Sequence, residues 1–337
     1  MEVNKNKIVN SIIAHTSAGS LPWQFDMTRE FADKVCRQFQ CISADEFMEN
    51  HLFRSKYKQN SKLPDGQELD IFGVTWSKSP EGGDVGIVTD HPLKEPSFSG
   101  YTFPEIRKDF AASLCDILES KKNELFTMFS ITMGFFERAW SLRGMEPLML
   151  DMMMNEKFAM ELFRKIEEHH LALLDVVLDR DFDALYFGDD WGQQKGLIMG
   201  PPMWRKYIKP SMERIFSKVK SKGKKIVLHS CGDLRDIFPE VIEMGVDVYN
   251  TLQPEIYNLK KMKREYGKDI TFYGGISTQQ FLPFATPLEV YNKTQEVMNI
   301  LGPDEGYILA PTHAITPDIP LENILTMLKV GKGESFK

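Results

Sequence analysis

Cysteine is scarce in this chain. Four occur in 337 residues, too few and too scattered for a disulfide framework, which points to a reducing compartment such as the cytoplasm. Long apolar runs are missing too, since nothing approaches the roughly 18 consecutive residues that a membrane-spanning helix needs. The opening stretch MEVNKNKIVNSIIAHTSAGS starts basic and ends small, yet its apolar part, IVNSIIA, is too short and too polar for a secretory signal. Positive charge is also short: 41 Lys and Arg against 48 Asp and Glu leave a net charge of -7. That deficit argues against nucleic acid or anionic lipid as a general partner. No G-x-G-x-x-G follows any predicted strand, which disfavours an open doubly wound, dinucleotide-binding sheet.

What is present has a rhythm. From about residue 180, short apolar strands alternate with amphipathic helices: ALYFGDD, then PPMWRKYIKPSMERIFSKVKSKG, then KKIVLHS, then LRDIFPEVIEMG. VDVYNTL, DITFYGG and GYILAP continue the series, each followed by a helix-like stretch. Glycine closes several of the helices. Strands that alternate with helices and never form hairpins imply parallel pairing through helical crossovers. NELFTMFSI extends the pattern back to about residue 122. Before it, DIFGVTWSK and DVGIVTDHPL read as paired strands across the turn SPEGGD, and the first 60 residues as mainly helical. The expectation is one domain: a (β/α)8 barrel core over 111–337, elaborated over 1–110 by helices and a hairpin.

Chemistry in a parallel barrel gathers where strands end. Those ends carry Asp189 and Asp190, His229 and Cys231, Asn250 with Glu255 just beyond, and His313. Two imidazoles and a thiol on one rim make a zinc-ligand set, and H-x-C spacing lets His229 and Cys231 reach one ion. His313 sits in APTHAITP between prolines that stiffen its loop. Glu255 is a fourth ligand, a base or a solvated loop carboxylate. Asp189 or Asp190 orients or protonates a reacting group, although either also suits a helix cap. Trp191 and Gln193 extend that segment toward a substrate pocket. Trp23, Phe135 and Phe136 are candidates for an apolar lining. EEHH at 167–170 reads as the solvated face of a charged helix.

FFERAWSLRGME, GDDWGQQKGLIMGPPMWRKYIKP, LHSCGD, NTLQPE, FYGGIST and APTHAITPDIPLENI together resemble the uroporphyrinogen decarboxylase superfamily from about residue 120 onward. The resemblance implies the barrel. It also implies one of two activities: decarboxylation of a porphyrinogen, or zinc-dependent methyl transfer to or from a corrinoid (cobalamin) protein. SLPWQFDMTREFADK lacks the paired arginines of the decarboxylases, and HSCG is similar to the H-x-C zinc motif of the cobamide-dependent methyltransferases. In those enzymes a late cysteine completes the site; here His313 takes its place. One thiolate with two neutral imidazoles leaves zinc closer to +1 than to zero, a stronger Lewis acid. The expected activity is therefore O-demethylation, with a methyl ether as donor and the Co(I) of a partner corrinoid protein as acceptor. Methylcobamide:thiol methyl transfer and a decarboxylase-like lyase are the alternatives. Dimerisation is left open.

Overall fold

Seven strands pair in chain order and all in parallel: β1 (Leu52–Lys56), β2 (Phe126–Ile131), β3 (Ala184–Gly188), β4 (Lys225–His229), β5 (Val248–Leu252), β6 (Thr271–Ile276) and β7 (Tyr307–Pro311). The structure, a computed structural model, describes residues 4–77 and 86–336. The ring closes through a short irregular segment rather than an eighth regular strand. Leu309 N–H donates to Pro22 O at 2.9 Å and Gln24 N–H to Leu309 O at 2.9 Å. On the other side His51 N–H donates to Trp23 O at 3.2 Å, and Leu52 N–H to Gln24 Oε1 at 3.1 Å. The eighth position of the expected barrel is thus filled by residues 22–25. With β1 in the sheet, the segment expected to elaborate the barrel also builds part of its wall.

Alternation along each strand sorts the core into two sets. Leu52, Phe126, Ala184, Val227, Val248 and Ile308 point into the lumen. Leu185, Phe187, Ile226 and Leu228 point outward, against the crossover helices. One end of the lumen is plugged by the helix Lys5–Ile13, whose Ile8, Val9, Ile12 and Ile13 fall on one face at i, i+4 spacing. Each such side chain, fully buried, contributes roughly 1.5–3 kcal/mol. Asn4 caps this helix by accepting from Lys7 N–H at 2.9 Å.

The opposite end, where the strands finish, is overlaid by a four-stranded antiparallel sheet: Asn60–Lys62, Glu68–Asp70, Thr75–Ser77 and Ile87–Asp90. The last two are the paired strands expected from the sequence; the turn SPEGGD between them lies outside the described residues. Among the described residues, no helix is long and apolar enough to cross a membrane.

Candidate metal centre

The period of two that builds the lumen also decides what its rim presents. Tyr186 faces inward, so Gly188 and Asp190 continue that face while Asp189 turns toward the helices. On β4 the inward series is Val227 and then His229, and on β5 it is Val248 and then Asn250, which is directly paired with His229. His229 Nδ1 lies 2.6 Å from Asn250 Oδ1. Asn250 Nδ2 donates to Tyr273 O at 3.2 Å, which fixes the amide so that its oxygen faces the imidazole. An acceptor at Nδ1 holds the proton there and leaves the Nε2 lone pair for a metal.

Cys231 Sγ stands 3.7 Å from His229 Nε2. The ligand atoms of His229, Cys231 and His313 all lie within 4.8 Å of one another, although His313 is 84 residues further along the chain than His229. Ligands around tetrahedral zinc, at bond lengths of about 2.0–2.3 Å, stand roughly 3.5 Å apart, so small side-chain rotations complete the set. Burial, then the negative charges of Asp190 and Glu137, push the Cys231 thiol well up. A divalent cation is the charge that reverses that shift, as thiolate ligation requires. The donor set and its surroundings fit a zinc ion.

The backbone of this rim is fixed by two loops that touch. Gly232, at φ +85°, packs so tightly on Gly192 that a Cβ there would lie 2.1 Å from the Gly192 carbonyl carbon. Cys231 N–H donates to Asp190 Oδ1 at 2.8 Å, Trp191 N–H to Ser230 Oγ at 3.0 Å, and Asp233 N–H to Gln193 O at 2.9 Å. The His313 loop is tied separately: Thr312 N–H donates to Ile276 O and Ile315 N–H to Asp26 O, each at 2.8 Å.

A cavity of about 470 Å³ runs from His229 and His313 to Phe72 and Trp76 of the overlying sheet. Glu137, the second residue of the helix Phe136–Arg143, stands in its wall beside Asp190. Burial, reinforced by Asp190 and Asp189, pushes its carboxyl well above the usual carboxylate range. Arg54 lies over the Tyr186 ring at 4.2 Å and pairs with Asp26 at 3.1 Å in the same wall.

Several expected site residues have other work. Asp189 is wholly buried; its two oxygens accept the N–H groups of Phe135, Phe136 and Glu137 at 2.8–2.9 Å and the Trp191 indole at 2.5 Å. It caps the helix Phe136–Arg143, in place of the catalytic role expected of it, because alternation points it away from the lumen. Phe135, Phe136 and Trp191 are 0% exposed and stand outside the cavity wall, packed in the shell between strands and helices. Trp23 is buried in the closing segment, its indole donating to Met48 O at 2.9 Å. Gln193 lies on a two-residue strand beyond the rim and contributes its carbonyl there. Glu255 falls outside the three-residue cluster and accepts from Ser277 Oγ. Its other oxygen is buried without a partner among the described residues.

Other residues escaped the sequence reading. Glu137 was passed over because it sits at a helix start rather than a strand end. Arg54 was hidden because FRSK is too polar to signal a strand, and Asp26 because it lies in irregular chain. His169 and His170 are buried in the cavity wall instead of solvated; burial lowers them to about 4 and about 3.

The model of the family described as Uroporphyrinogen decarboxylase (URO-D) matches residues 78–333. A methylated-thiol–coenzyme M methyltransferase from Methanosarcina mazei is 23% identical over 135 residues, 40% of this chain. The match spans only 34% of that relative's length. A solved structure described as a methyltransferase from Methanosarcina mazei shares the fold at a TM-score of 0.74 and 16% identity, covering 98% of this chain and 99% of that one.

Proposed function

The chain belongs to the uroporphyrinogen decarboxylase family, and on that premise we propose that it is a zinc-dependent methyltransferase. Its donor in this reading is a methyl ether, and its acceptor is the Co(I) of a corrinoid held by a separate protein that docks at the rim. One observation carries the reading: His229, Cys231 and His313, far apart in the chain, bring an imidazole–thiol–imidazole set within 4.8 Å.

Zinc held by these three residues would supply a Lewis acid for the ether oxygen. The protein's own groups do the rest. Asn250 keeps the His229 proton on Nδ1. Asp190 anchors the backbone at Cys231, which keeps the thiol beside His229 and His313. Glu137, whose carboxyl is pushed well up by burial and by the two neighbouring aspartates, is the group in the cavity wall placed to pass a proton to the departing oxygen. The cavity walls orient the substrate and keep water from it.

The relative's name supports a second reading, with a thiol as methyl acceptor. A single thiolate in the ligand set weighs toward the ether, because the less neutralised ion better stabilises an oxygen leaving group.

Metal analysis tests the centre. Wild type should bind one zinc per chain, and Cys231→Ser and His313→Ala should each lose most of it while keeping the wild-type circular dichroism spectrum. Transfer from an aryl methyl ether to cob(I)alamin should fall with the metal. Full zinc occupancy in both variants removes the proposed centre, and transfer to thiols alone favours the second reading.

A further inference from the structure

Four arginines of this protein hold a carboxylate in the same manner. Arg180 on Glu119, Arg205 on Glu240, Arg214 on Glu167 and Arg235 on Asp233 each use Nε and Nη2 as a two-point fork, at 2.5–2.9 Å. That edge matches the spacing of two carboxylate oxygens. Arg54 and Arg143 each meet a carboxylate through a single nitrogen, and so does Arg138. Arg138 is 7% exposed and stands in the cavity wall, yet among the described residues its side-chain bonds leave only through Nη1, to Asp70 at 2.8 Å and Ser141 at 3.3 Å. Its Nε is buried and has no partner among the described residues. A buried donor without an acceptor is costly, and native structures seldom keep one without a use.

Asp70 cannot fill that edge, because its own oxygens are taken. Oδ1 accepts from Phe72 and Val74 N–H at 2.9 and 3.0 Å; Oδ2 accepts from the Trp76 indole at 3.2 Å and from Arg138 itself. The guanidinium face is occupied as well, 4.0 Å over the Phe72 ring. Asp70 and Phe72 therefore set the plane of the group and leave its Nε–Nη2 edge for something else. Arg29, Lys56, Lys58 and Lys62 stand in the same wall, matched by Asp26, Glu30, Glu68 and Asp190, so what singles out an acid is the Arg138 edge itself rather than a general positive field. Tyr57, Phe72 and Trp76 line the wall with rings.

We propose that the Nε–Nη2 edge of Arg138 is a carboxylate subsite, so that the methyl-bearing substrate is a small acid, aromatic by the lining. Its carboxylate binds Arg138 while its other end reaches toward His229 and His313. The substrate's role as methyl donor rests on the reading above; recognition of its acid group does not.

Calorimetry on the full-length zinc-loaded protein with the three methoxybenzoate isomers, each paired with its neutral methoxybenzamide, separates the two. At least one acid should bind about tenfold or more tightly than its amide. Arg138→Lys, which keeps the charge and loses the fork, should remove most of that preference. The double variant Asp70→Asn with Arg138→Gln, which leaves no buried charge unpaired, should abolish it. Equal binding of acids and amides to wild type, or a preference that survives both variants, overturns the subsite. Acid binding without methyl transfer to cob(I)alamin keeps the subsite and removes the ether reading. Transfer from amides as efficient as from acids does the reverse.

Discussion

Asp189 and Asp190 are neighbours in the chain and belong to different halves of the molecule. One is wholly buried in the shell between strands and helices and accepts four N–H groups. The other faces the cavity and holds the backbone at Cys231. Burial pushes the Asp189 carboxyl up to about 6, against the pull of those four donors. The contrast shows that an acidic pair at a strand end divides by direction: one member fixes a helix, the other faces the cavity. Chemical type alone does not tell them apart.

The strongest way to break this contrast is to truncate each residue in turn. Asp189→Ala leaves three backbone donors and an indole without an acceptor and should cost about 3–5 kcal/mol, read as a lowered urea midpoint. Asp190→Asn keeps an oxygen for Cys231 N–H and should change stability by less than about 0.5 kcal/mol. Its zinc affinity should nonetheless fall by about tenfold, measured by competition with a chelator. Equal destabilisation by the two would erase the distinction. Gly232→Ala comes next, because it attacks the contact that holds the two loops together. The added methyl meets the Gly192 backbone in a conformation that side chains rarely adopt, and about 2–4 kcal/mol should be lost.

The gentlest probe is pH. Glu137 has a folded-state carboxyl raised above its unfolded value by burial and by Asp190 and Asp189. The stability it contributes is complete below the ordinary range, near about 4.3, and is lost as pH rises from there toward the folded value. Urea midpoints of metal-free Glu137→Gln should therefore gain on those of wild type as pH increases. Parallel curves would show that this carboxyl ionises in the fold as it does in the unfolded chain.

The barrel was legible because parallel, doubly covered strands are written as apolar runs with helices between them, as in KIVLH and ALYFG. β1 escaped because two of its three inward positions are Arg54 and Lys56, which read as loop. That His229, Cys231 and His313 meet at one rim was legible from their places at strand ends. Direction around the strand was not legible, because ALYFG is apolar on both faces; only with Tyr186 placed inward does the alternation assign Asp190 inward and Asp189 outward. Glu137 and Arg138 had no strand-end signal, since their importance comes from a helix packed across the mouth, a contact between distant segments.

The barrel's last stave is a stretch of irregular chain, with Gln24 supplying through its side chain one bond that a backbone would otherwise make. Gln24 faces the cavity from that stave, and Asp26 from the position just past it. Elsewhere in the ring, an insertion near the cavity would shift a strand's register and turn its whole inward row outward. Here there is almost no ladder to disturb, so this is where a related chain could lengthen or redecorate the chamber and take on a new substrate while the other seven walls stay as they are.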